Sequence, residues 1–159
     1  MSQRIQITLN KHEARLQGER ALAYAAGFFD GEGCVHIARQ KHAGSRLGHV
    51  FRLVVSLSQN HLHTLVDFQN LTGVEGRIYH RPRQGTTNRD WYCLAYDGTA
   101  AETLLDLLQP FLLRKAAEAL VGLQFQRDCH VKTHFGPKGC PPDIWSRREG
   151  LYRKLRNLK

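Results

Sequence analysis

The sequence predicts an α+β domain in the order αββαββα, with one four-stranded antiparallel sheet covered by helices on a single face. Alternation of apolar and polar residues with period two appears in two stretches before one helical stretch and in two more after it. Each pair of such stretches is split by turn-forming residues, at Gly44 to Gly48 and at Pro82 to Asn88, as hairpins require. Helical periodicity fills the remainder, and strands that alternate this sharply bury one face of a sheet only.

The first helix is expected from about Glu19, with Leu22, Phe28 and Phe29 apolar and Gly33 ending it. Strands over Cys34 to His42 and His49 to Ser58 point Val35, Ile37, Phe51, Leu53, Val55 and Leu57 to one face. The opposite face then carries His36, Gln40, His42, Arg52, Ser56 and Ser58. Asn60 is placed to cap a helix through Leu62, Leu65, Val66, Phe68 and Leu71, which stops at Gly73. The second strand pair covers Val74 to Arg81 and Asp90 to Asp97. Thr99-Ala-Ala-Glu102 reads as a capping box, and Pro110 suits the first turn of a further helix. A last helix from about Asp143 aligns Ile144, Leu151, Leu155 and Leu158 on one stripe. One domain over 1–159 is expected, with a core of about 20–125 and a helical extension of about 142–159.

Lys and Arg number 23 against 14 Asp and Glu, a formal charge of +9, so a polyanion is the expected partner and nucleic acid leads the candidates. No apolar run approaches the roughly 20 residues of a membrane-spanning helix, and the N-terminal residues lack a signal-peptide core. The chain is therefore expected to be intracellular, in the cytoplasm or in an organelle. Cys34, Cys93, Cys129 and Cys140 form no C-x-x-C pair, and thiols rather than disulfides are expected. Cys129, His130, His134 and Cys140 can be read as zinc ligands, but their spacing fits no common zinc pattern and the intervening Gly-Pro-Lys-Gly reads as a loop.

The segment Leu22 to Cys34 is unusual for a helix. Ala23, Gly27 and Gly31 recur every fourth residue, and each helical glycine costs about 1 kcal/mol relative to alanine. Close approach of a second helix supplies a reason, and a two-fold axis would bring two copies together along Ala23, Ala26, Gly27, Asp30 and Gly31. Asp30 and Glu32 then sit at the negative end of the helix dipole, where something positive must offset them. Carboxylate and carbonyl oxygens are the ligands that Mg²⁺ or Ca²⁺ prefers, which makes Glu32 with the Gly31 carbonyl a metal-site candidate.

The string Ala26-Gly-Phe-Phe-Asp-Gly-Glu-Gly33, standing directly before two alternating strands, resembles the LAGLIDADG motif of homing endonucleases. Val55-Ser-Leu-Ser-Gln59 is similar to the end of that family's second strand, where a glutamine approaches the active site. Leu108-Gln-Pro-Phe-Leu-Leu-Arg-Lys115 is similar to the segment that delivers a catalytic-site lysine. The likeness spans roughly residues 20–125 and is greatest to the single-motif, homodimeric branch of mobile introns. Gly31 stands for the motif's alanine and Glu32 for its second aspartate, which keeps a small residue and a carboxylate.

The resemblance implies the LAGLIDADG fold, with a curved sheet lying in a DNA groove. It also implies metal-dependent hydrolysis of duplex DNA, one strand per subunit of a homodimer. Glu32 would hold Mg²⁺, with Mn²⁺ or Ca²⁺ able to occupy the same place; Lys115 would stabilise charge and Gln59 would position water. His36, Gln40, His42, Arg52, Ser56 and Ser58 on the first strand pair, and Arg77, Tyr79, Arg81, Asp90 and Tyr92 on the second, are the expected groove-facing residues. Arg46, Arg83 and Arg89 in the turns are expected on phosphates. Identical subunits imply a long, pseudo-palindromic target. An RNA-binding maturase or a catalytically inactive DNA-binding protein on the same fold would share the basic sheet without using Glu32.

Overall fold

The computed structural model describes residues 11–42, 48–82, 90–129, 135–136 and 139–159, with the side chains of 11–16 and 81 left outside that description. Arg46, Arg83 and Arg89, and the His130 and His134 of the zinc reading, fall outside the described residues.

Helix α1 (Lys11–Glu32) leads into β1 (Gly33–Lys41) and β2 (His49–Gln59); α2 (Leu62–Thr72) leads into β3 (Arg77–Arg81) and β4 (Trp91–Asp97). Then come α3 (Gly98–Leu108), a 3₁₀ turn (Gln109–Phe111), α4 (Ala116–Asp128) and α5 (Pro142–Asn157). The four antiparallel strands lie in the order β1-β2-β4-β3. Their helix-side face buries Val35, Ile37, Phe51, Leu53, Val55, Leu57, Leu94 and Tyr96. Gly122 lets α4 lie directly on it, since a Cβ there would stand 3.1 Å from Leu53 and 3.2 Å from Val35. Among the described residues, no helix is long and apolar enough to cross a membrane.

Gly33 ends α1 for a steric reason, because a Cβ would meet the Phe29 ring at 2.4 Å and the Phe29 carbonyl oxygen at 2.6 Å. The helix itself begins at Lys11, earlier than Glu19. Its two sides differ sharply. Ala25, Ala26 and Phe29 are fully buried against the protein's own core, whereas Ala23, Gly27 and Gly31 face solvent. Ala26 therefore belongs to the core and is withdrawn from the expected dimer ridge.

Several expected element ends move. The N-cap of α2 is His61 rather than Asn60, with no side-chain cap. The capping box at Thr99 does not form, because α3 starts at Gly98, whose φ of +55° turns the chain off β4. Strand β3 begins at Arg77 and not at Val74, since Val74 N–H donates to Thr72 Oγ1 and Gly76 N–H to Gln69 Oε1, away from the ladder. The α5 stripe buries Leu151 and Leu155, but Leu158 is 43% exposed at the helix end.

Candidate active site and nucleic-acid interface

The two acids at the end of α1 have different surroundings. Asp30 Oδ2 accepts the backbone N–H groups of Leu113 at 2.7 Å and Arg114 at 3.2 Å, and Oδ1 accepts that of Lys115 at 2.9 Å. Arg114 Nε adds a bond to the Asp30 carbonyl oxygen at 3.0 Å. These donors belong to the turn entering α4, so the positive group that Asp30 needs is the turn's backbone. Burial raises the Asp30 pKa, but the three backbone bonds and the Lys115 charge outweigh it and hold the carboxyl below its ordinary value. Glu32, one turn end further on, is exposed and pairs with no cation among the described residues.

The Asp30 bracket fixes Lys115 as the residue that enters α4, where its side chain is only 3% exposed. Lys115 lines a cleft of about 280 Å³ together with Cys34, Arg114, Glu118 and Lys159. Gln59 closes β2, half-buried, with Tyr92 as its cross-strand partner. Cys34 is half-buried, its Sγ 3.9 Å from His36 Nδ1 and 3.2 Å from Lys159 Nζ. The His36 contact, opposed by burial and assisted by Lys159, brings the thiol down to about 7.

Strand register sorts the sheet residues, because directly paired residues share a face. Leu57 pairs with Leu94 and Val55 with Tyr96 on the buried side. Two positions further along that same row, Gln59 pairs with Tyr92, and Tyr92 with His80. Tyr92 thus points to the helix side, stacked on His80 with ring centroids 5.1 Å apart, and is withdrawn as a groove-facing residue. Asp90 goes with it, its Oδ2 lying 3.1 Å from His80 Nε2.

The opposite face carries His36 and Gln40 on β1, Arg52, Ser56 and Ser58 on β2, and Arg77 and Tyr79 on β3. His42 is exposed just past β1, its N–H donating to the Gly48 carbonyl across the turn. The backbone of Arg81 pairs with Trp91. Sequence reasoning missed Trp91, 40% exposed, and Cys93 and Asp97, which continue this row on β4. Starting the alternation of β4 at Leu94, its most apolar inward residue, places all three outward. Asp97 Oδ2 accepts from Arg77 at 2.5 Å and Arg52 at 3.3 Å, so both arginines are held upright across three strands.

The profile of the LAGLIDADG endonuclease family matches residues 25–115, more than half of the chain. The chain belongs to the LAGLIDADG endonuclease family. The matched stretch opens inside the LAGLIDADG helix and closes on Lys115. Among solved structures, the homing endonuclease I-CvuI in complex with a DNA target superposes with a TM-score of 0.70 at 23% identity, over 91% of this chain and 85% of that one. The archaeal intron-encoded I-Vdi141I, complexed with DNA, superposes at 0.71 and 19% identity, over 89% and 85%. The meganuclease I-SmaMI gives 0.65 at 14% identity, covering 84% of this chain but 44% of that one. These likenesses show that the fold is that of the LAGLIDADG proteins. A comparison with curated protein sequences returns no match.

Proposed function

We propose that the chain is a site-specific double-strand DNA endonuclease that acts as a homodimer and uses a divalent metal, Mg²⁺ above all, at Glu32. Family membership supplies the reaction class. The observation that carries the site is the division of labour between the two motif acids: Asp30 is saturated by backbone donors, and Glu32 is left open at the same helix end.

The donor chemistry fits a hard cation, since Glu32 and the Gly31 carbonyl offer only oxygen. A second Glu32 across the dimer axis, together with DNA phosphate, would complete the set of oxygen ligands. Glycines on the exposed ridge permit that approach, because a Cβ at Gly27 or Gly31 would meet nothing within 4 Å of the same chain. Tyr24, 70% exposed, and Leu113, 89% exposed, flank the ridge with apolar surface that a partner would cover.

When bound, the metal neutralises charge on the scissile phosphate and lowers the pKa of an attacking water. Lys115, buried at the start of α4, adds positive charge from beneath the corner that receives the phosphate. Gln59 orients water by hydrogen bonds and takes no proton, because an amide is no base at neutral pH. Arg52, Arg77, Tyr79, His36 and Gln40 read the groove from the outward face, and the turn arginines Arg46, Arg83 and Arg89 hold phosphates. The test is selection of cleaved duplexes from a genomic or random library with Mg²⁺. A long, pseudo-palindromic sequence is expected; cleavage that persists in EDTA, or no cleaved duplex at all, would contradict the reading.

A further inference from the structure

Helix α5 brings a cation to the catalytic corner. Its buried Leu151 and Leu155 anchor it, and Phe51 meets both Trp145 and Tyr152 at 5.9 Å between ring centroids. Glu149 adds an ion pair to Arg39 of β1 at 3.6 Å. So held, α5 ends at Asn157, and Lys159, two residues beyond it, lies on the 280 Å³ cleft that Lys115 also lines. Three cations, Arg114, Lys115 and Lys159, face one acid there, Glu118, a balance of +2 (3 − 1). The three are not equivalent. Arg114 is committed to the Asp30 carbonyl and Lys115 is buried, whereas Lys159 is exposed at the mouth, its Nζ 3.2 Å from Cys34 Sγ.

We propose that Lys159 is a phosphate-binding residue of this corner, resting on Cys34 in the free protein and moving to a DNA backbone phosphate in the complex. The inference rests on the endonuclease reading above, which puts DNA against this face. Cys34 lies two residues beyond Glu32 and on the outward row, paired with Ser56, so a group on its sulfur is already beside the bound backbone. Sulfur is a weak acceptor even for a charged donor, while a phosphate oxygen is a strong acceptor that carries its own negative charge. The flexible four-carbon lysine stem makes the transfer inexpensive.

The experiment is equilibrium binding of the full chain to a mixed-sequence DNA duplex without metal, at rising NaCl, for wild type, Lys159→Gln, Lys159→Arg and Lys154→Gln. Lys154→Gln removes the same charge from an exposed site on α5, five residues earlier. Lys159→Gln is expected to flatten the slope of log affinity against log salt by about 0.9 per subunit. Lys159→Arg should keep the wild-type slope. An unchanged slope for Lys159→Gln, or an equal loss from Lys154→Gln, would overturn the proposal while leaving the endonuclease reading intact. Failure of the wild type to bind duplex would overturn both.

Discussion

Asp30 Oδ1 accepts the backbone N–H of Lys115 at 2.9 Å, a bond across 85 residues that ties the end of the LAGLIDADG helix to the start of α4. The motif's first acid is thereby a clamp that sets where Lys115 stands. Replacing Asp30 by Ala removes all three backbone bonds, and a loss of about 2 kcal/mol is expected from denaturant unfolding. The sign of the pH effect follows from the lowered pKa. The Asp30 contribution is present above the carboxyl's ordinary value of 3.8 and is lost as pH falls through the lower folded value. The variant should therefore lie below wild type at neutral pH and converge with it at acid pH. Equal stability of the two at pH 7 would remove the clamp from the account.

Gly27→Leu tests the dimer without confounding the fold. Gly27 is exposed on α1, and nothing in its own chain lies within 4 Å of an added Cβ. Leucine is the better helix former by several tenths of a kcal/mol, so the monomer should be as stable or more so. Sedimentation should show a wild-type dimer and a folded, inactive monomeric variant. A dimeric Gly27→Leu protein would move the interface elsewhere.

The strand register makes a prediction about neighbouring aromatics. Trp91 lies on the outward row and Tyr92 on the helix side. Trp91→Ala should weaken duplex binding by about 1 kcal/mol, roughly fivefold, as loss of one contact would. Tyr92→Phe keeps the buried ring and should bind as wild type does. The reverse order of effects in a titration would mean that the outward row has been assigned to the wrong face.

Much of this was legible because period-two alternation encodes which face a strand residue occupies. Val35 to Ile37 and Phe51 to Leu57 were placed correctly on that ground alone. Tyr92 was not, because tyrosine suits either side of a sheet, and only the pairing of Leu57 with Leu94 fixes the phase of β4. Ala26 failed for a related reason: small residues line both sides of α1, and spacing alone cannot tell a ridge for a partner from a seat for the protein's own core. The part played by Asp30 was likewise invisible. Asp30's donors lie 83 to 85 residues away, a distance no local pattern encodes. Lys159 beside Cys34 is a contact across 125 residues of the same kind.

Two copies of the chain carry +18 (9 + 9), and the outward face adds aligned arginines to that field. Duplex binding should weaken steeply with salt, by about 0.9 decades in affinity per decade of salt for each phosphate contacted. Titrations at rising NaCl measure this directly. A flat dependence would mean that the basic face does not track the DNA backbone.

Glu32 is the residue on which metal-dependent cleavage turns in the proposed reaction. Glu32→Gln keeps the side chain's size and removes the charge a hard cation needs, while the basic sheet face stays as it was. Gel-shift and cleavage assays on the same selected duplex in Mg²⁺ compare the two proteins. The variant is expected to bind as tightly as wild type or tighter, since a negative charge beside the phosphates has gone, and not to cut. Cleavage by Glu32→Gln at the wild-type rate would show that the metal is not held at Glu32.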